Sequence, residues 1–118
     1  MRDFRKYNIW KEGIELVKEI YLISSSFPKE EKFGLVSQMC RASISIPSNI
    51  AEGCSRKSEK EFCRFLEISM GSSFELETQL LISVELGFLN QDSIQEILLK
   101  IERLQKQINQ LILKIDKG

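Results

Sequence analysis

The chain has 118 residues, enough for one domain with a real core and too few for two ordinary ones. Seventeen basic residues balance seventeen acidic ones and hydrophobic residues make up 42%, which excludes a disordered tail or a uniformly basic nucleic-acid coat and fits a soluble globular protein. There is no histidine, so the commonest general base, the commonest metal ligand and the usual partner of a nucleophilic Ser or Cys are all missing.

The N-terminal stretch "MRDFRKYNIW" lacks the apolar region of a signal peptide, and no apolar run reaches the roughly 18 residues of a spanning helix, so a cytoplasmic protein with no membrane partner is expected. Turn signals fall at "SSSFPKEEKFG", "EGCSRKS" and "GFLNQDS" and divide residues 1–118, read as one domain, into four segments. The first, about Asn8 to Ser25, sets Trp10, Ile14, Val17, Tyr21 and Ser24 at helical steps, with Leu16, Ile20 and Ile23 widening the stripe. The second, about Glu31 to Gly53, places Leu35, Met39, Ala42, Ile46 and Ile50 on one face. That register runs through Pro47, which cannot donate to the carbonyl of Ser43 and predicts a helix kinked at Ser43 to Pro47.

The third segment opens on "SEKE", where Ser58 can cap the helix and Glu61 can reach back to complete a capping box. It runs to about Gly87 with Phe62, Leu66, Ser69, Ser73, Leu76, Leu80 and Val84 inward, and Phe74 and Leu81 suggest a second buried face. The fourth, about Gln91 to Asp116, carries Ile94, Ile97, Ile101, Leu104, Ile108, Leu111 and Ile115 in alternating steps of three and four. Short connections make successive helices antiparallel neighbours. The fold expected is therefore all-α, an antiparallel up-and-down four-helix bundle with a proline-kinked second helix.

Little in this pattern supports catalysis. A carboxylate-bridged di-metal site in such a bundle needs Glu-x-x-His pairs. Cys40, Cys54 and Cys63 show no C-x-x-C spacing, and no phosphate-binding glycine loop or nucleophile elbow is present. Glu75 and Glu77, two residues apart, point about 200° from each other. Glu77 lies near the inner stripe, where a bond to a neighbouring helix is the plain reading. The expectation is a non-enzyme with no metal and no cofactor.

Two other groupings stand out. Gln38, Arg41, Ser45, Ser48, Asn49 and Glu52 form a polar stripe around Pro47, able either to bond backbone groups freed by the proline or to face another helix or subunit. Arg41 and Glu52, roughly 16 Å apart along the axis, cannot pair with each other. A hairpin turn near Ser55 would bring Arg41 level with Met70 and Gly71 and leave Glu67 as its nearest acid. Sorted by bundle end, Arg2, Arg5, Lys6, Lys11, Arg56, Lys57, Lys60, Arg64, Lys114 and Lys117 gather with only Asp3, Glu12, Glu59, Glu61 and Asp116. Arg56, Lys57 and Lys60 stand near the start of the third helix, where the macrodipole favours anions, so helix-end preference does not place them. Either this end is a solvated charged surface or it meets a polyanion such as RNA. Outer apolar positions Ile44, Ile68, Ile82, Leu99 and Leu113 further suggest a homo-oligomer.

The stretches "NIWKEGIELVKEIY", "FPKEEKFGLVSQMCRASISIPSNIAEG", "SEKEFCRFLEISMGSSFELETQL" and "ELGFL" resemble the four-helix bundle family of proteins encoded in intervening sequences of bacterial 23S ribosomal RNA genes. The pattern carried over includes Trp10, Pro28, Gln38, Arg41, Ser45, Pro47, Asn49, Glu52, Gly53, Gly71, Glu75 and Glu77, with Gly13 and Ser69 standing where that family more often has alanine. The resemblance implies an antiparallel four-helix bundle assembled as a ring-shaped homopentamer. The family is also related to accessory proteins of diversity-generating retroelements that bind nucleic acid and a reverse transcriptase, which implies RNA or a ribonucleoprotein as partner. On this reading Arg56, Lys57, Lys60 and Arg64 carry phosphate contacts with Arg5 and Lys6 assisting. On the alternative reading the protein is an oligomeric scaffold that recruits another protein through Arg41, Asn49 and Glu52.

Overall fold

Four amphipathic segments of this length bury their apolar stripes only against one another, and the computed structural model, which describes residues 2–117, does this with four helices: α1 (Asn8–Ser24), α2 (Leu35–Cys54), α3 (Glu59–Glu85) and α4 (Gln91–Lys117). Short 3-10 turns at Phe4–Lys6 and Lys29–Glu31 precede α1 and α2. The molecule measures 46 × 23 × 19 Å. A helix of 27 residues is about 40 Å long, so α3 and α4 run nearly its full length. Contacts descend one helix as they ascend the next: Ser45 meets Ser72 and Met39 meets Ser83, while Glu12 meets Gln107 and Glu19 meets Lys100. Sequential helices are thus antiparallel, and α1 closes the ring against α4.

The core follows the inner stripes of α2, α3 and α4 as the sequence sets them. Met39, Ile46, Ile50, Phe62, Leu66, Leu76, Leu80, Ile94, Ile101, Leu104 and Ile108 are fully buried. Each such side chain contributes about 1.5–3 kcal/mol relative to exposure. On α1 the structure buries Leu16, Ile20 and Ser24 from the stripe read in the sequence but differs at two of its positions. Ile14 and Tyr21 are exposed, and the buried positions are Ile9, Gly13, Leu16, Ile20 and Ser24. Gly13 enters the buried face through its contact with Pro47. A Cβ placed at Gly13 would stand 3.2 Å from the Pro47 Cβ and 3.3 Å from its Cδ. The proline ring packs into the notch that Gly13 leaves on α1, and a residue without a side chain carries no weight in a hydrophobic stripe.

α2 continues as helix on both sides of Pro47. It begins later than expected, at Leu35 rather than near Glu31, because Gly34 leaves helical geometry (φ −107, ψ −111) and the Glu31 carboxylate accepts from the Leu35 N–H at 3.2 Å. At α3, Ser58 accepts from the Glu61 N–H at 3.1 Å, but the Glu61 carboxylate turns to Arg64, so half of the capping box forms. Gly87 ends α3 at φ +80, and the Phe88 N–H returns to the Ser83 carbonyl at 2.9 Å, a left-handed cap that glycine allows at no steric cost. Phe74 and Leu81 are exposed. Other buried positions on α3 include Phe65, Ser72, Gln79 and Ser83, of which Phe65 meets Gly53, Ser72 meets Ser45 and Ser83 meets Met39 of α2, and all but Phe65 are polar and escape an apolar count.

The Gly13–Pro47 contact gives a direct test. Gly13→Val should lower stability in urea denaturation by about 1–3 kcal/mol through overpacking. In a Pro47→Ala background that penalty should shrink by at least about 0.5 kcal/mol. Equal penalties in the two backgrounds would show that the two residues do not constrain each other.

Candidate nucleic-acid interface

The basic end is assembled by backbone topology. The first 3-10 turn and the α2–α3 turn meet where Arg2 Nη1 donates to the Arg56 carbonyl at 2.9 Å. The end of α4 joins them, since Arg2, Glu59 and Lys114 line one shallow hollow with Tyr7, Phe62 and Ile115. Arg2, Ser55, Arg56 and Lys57 line a second. Of the six residues expected to contact phosphate, three already face a carboxylate: Arg5 lies 3.4 Å from Asp3, Arg56 3.8 Å from Glu52 and Arg64 3.7 Å from Glu61. All of these pairs are well exposed, so each contributes at most about 1 kcal/mol and is readily exchanged. Lys6, Lys57 and Lys60 form no ion pair among the described residues. Arg2, which the sequence places at this end but outside those six, lies beside Arg56 and Lys57. Its guanidinium lies over the Phe62 ring at 4.3 Å, as that of Arg56 lies over Phe65 at 4.7 Å. A long-range cation–ring pairing leaves no spacing signature to read.

The polar stripe of α2 divides in two. Asn49 Nδ2 donates to the Ser45 carbonyl at 2.8 Å and to its hydroxyl at 2.9 Å, and the Ser45 hydroxyl lies 2.7 Å from that of Ser72. Ser69 donates to the Ile46 carbonyl at 2.9 Å. These bonds tie α2 to α3 around the proline, yet among the described residues no side chain donates to the Ser43 carbonyl that Pro47 frees; Ser43 itself donates to the Cys40 carbonyl. Arg41 and Glu52 take no part. Arg41 reaches Gln38 at 3.3 Å, and Glu52 stays beside Arg56. The Ser45–Ser72 pairing sets the register, so Arg41, one turn back on α2, falls level with Glu75 and Leu76 rather than with Met70 and Gly71, and Glu67 is not its partner. Glu75 is exposed. Glu77 accepts from Gln105 of α4 at 3.0 Å, and Gln105 also donates to Ser73 at 3.2 Å.

No cluster of three His, Cys, Asp or Glu with metal-binding geometry occurs among the described residues. Burial holds the Cys54 thiol above its ordinary pKa, with Arg2 opposing the rise. Burial, reinforced by Asp116 3.9 Å away, does the same to Cys63. Both are therefore poor nucleophiles at neutral pH. No described helix is long and apolar enough to cross a membrane.

The family model described as 23S rRNA-intervening sequence protein matches residues 5–110. Among solved structures, the chain is similar to a protein of unknown function from the S23 ribosomal protein family of Bacteroides thetaiotaomicron. The two superpose with a TM-score of 0.79 at 20% identity, over 88% of this chain and 97% of that one. No curated protein matches it in sequence.

The division of the polar stripe is measurable by urea denaturation. Asn49→Ala should lower stability by about 1–2 kcal/mol, since it strips bonds from a half-buried seam. Arg41→Ala and Glu75→Ala should each change it by less than about 0.5 kcal/mol. A large loss from either exposed residue would show that the single chain depends on it.

Proposed function

The chain belongs to the family of 23S rRNA-intervening sequence proteins, and from that premise we propose that it is a non-enzymatic, homo-oligomeric helical bundle that binds structured RNA through its basic end. The observation that carries this reading is the convergence of Arg2, Arg56 and Lys57 around one hollow, with Lys60, Arg64, Arg5, Lys6 and Lys114 on the same end of the bundle. An evenly charged chain has concentrated its cations at one pole. Phosphate contacts of this kind supply salt-dependent affinity that is largely independent of sequence. Assembly would multiply it. The residues offered for assembly are Ile44, Ile68, Ile82, Leu99 and Leu113, all exposed on the single chain, and a closed ring would repeat the basic pole once per subunit. The pentamer implied by the sequence resemblance is one such ring.

A second reading, an interaction scaffold without nucleic acid, draws on a different face. Arg41 and Glu75 lie level on the α2–α3 surface, neither in an ion pair among the described residues, with the exposed Ile44, Ile68 and Ile82 on the same two helices. A protein partner retained by affinity capture after nuclease treatment, and released by Arg41→Ala, would favour this reading.

Titration of a labelled structured RNA at increasing salt decides between them. Affinity should fall linearly in log–log form, and Lys57→Glu with Lys60→Glu should weaken binding about tenfold or more and flatten the slope by about one for each phosphate that is no longer neutralised. No detectable binding at low salt, or binding untouched by both reversals, would remove the RNA reading.

A further inference from the structure

The hollow at the basic end offers shape as well as charge. Lined by Arg2, Ser55, Arg56 and Lys57, it is an open surface depression of about 510 Å³. Two of its cations are planar and held in advance. Arg2 lies over Phe62 and is pinned through Nη1 to the Arg56 carbonyl, while Arg56 lies over Phe65 with Glu52 beside its Nη2. The shelves are rigid: Phe62 is fully buried, Phe65 nearly so, and the Tyr7 ring braces Phe62 edge-on at 6.0 Å. A guanidinium stacked on a ring has already lost rotamer freedom, and such planes stack on nucleobases.

We propose that this hollow seats one unpaired nucleotide of RNA, its base stacked on the Arg56 guanidinium and its phosphate held by Lys57 and the remaining N–H groups of Arg2. The Ser55 hydroxyl is not a phosphate donor, because it already donates to the Glu52 carbonyl at 2.6 Å. The Glu52 carboxylate repels phosphate from its own side of Arg56 and leaves the Lys57 side open. This seat rests on the RNA reading above and narrows it. Bases within a duplex are stacked on one another and cannot offer a free face, whereas a loop or bulge of a structured RNA can.

The test uses fluorescence anisotropy with two labelled RNAs of equal phosphate number, a hairpin with an unpaired loop and a blunt, fully paired duplex. The hairpin should bind about tenfold more tightly. Arg56→Lys keeps the charge and removes the plane, so it should lower hairpin affinity about tenfold and duplex affinity far less, bringing the two RNAs to similar affinity. Equal affinity for the two RNAs in the unsubstituted protein, or a hairpin preference that Arg56→Lys leaves intact, overturns the nucleotide seat even though the basic end binds RNA. Absence of binding to either RNA at low salt overturns the RNA reading and the seat with it.

Discussion

The close approach of α2 to both of its neighbours is the constraint on which the rest of the bundle depends. On one side Pro47 presses its ring into the gap at Gly13. On the other, a Cβ at Gly53 would come within 2.8 Å of the Phe65 Cβ and 3.1 Å of Phe62, so α2 and α3 touch there with no room for a methyl group. Between these points the seam is closed by hydroxyls: Ser45 to Ser72, and Ser69 to the Ile46 carbonyl. Serine fits a narrow seam because it is hardly larger than alanine and can satisfy a carbonyl that has a second lone pair to spare. Each bond contributes only about 1 kcal/mol net, but leaving such groups unpaired in the interior would cost more than that. Spacing and polarity are thus set together.

That seam also decides how far the site can be read from sequence. The stripes of α2, α3 and α4 are legible because large apolar residues fill them, and the basic pole is legible because topology alone brings the three chain segments together. α1 is legible in part: Leu16, Ile20 and Ser24 are buried as read, whereas Gly13, which meets Pro47, has no side chain for an apolar count to register. The level of Arg41 is hidden for a related reason. A hairpin counted from Ser55 assumes equal lengths of chain on each side of the turn, whereas α3 starts only at Glu59, and the Ser45–Ser72 pairing shifts the register by about one and a half turns. Arg2 is not legible as a site residue because what places it is a ring and a carbonyl more than fifty positions away.

The same packing that fixes the seam positions the basic pole. Gly53 lets α2 come close to Phe62 and Phe65, both of which are buried, and the guanidiniums of Arg2 and Arg56 lie over their rings. Arg2 in turn ties the N-terminal segment to the α2–α3 turn. Charges at the far ends of flexible side chains usually have no fixed geometry, and exposed ion pairs alone rarely provide one. Here aromatic rings do, since Arg2, Arg5 and Arg56 lie over Phe62, Phe4 and Phe65, while Lys57 and Lys60 remain point charges on flexible stems.

The seam and the pole place different demands on their residues. The contacts that hold α1, α2 and α3 together use Gly13, Pro47, Gly53 and a few serines, none of them charged, and the cations of the pole contribute little to that seam. Substitutions at the pole therefore leave the helices in place, while a single added methyl at Gly53 must move a helix. At the points of closest approach the structure restricts residue size, since a methyl group at Gly13 or Gly53 meets Pro47 or Phe65, whereas an exposed cation meets no such limit. A pole that is free to vary in this way can be retuned for a different partner without the bundle being rebuilt, so the chemistry of the partner has to be read from the pole's own residues and not from the fold beneath it.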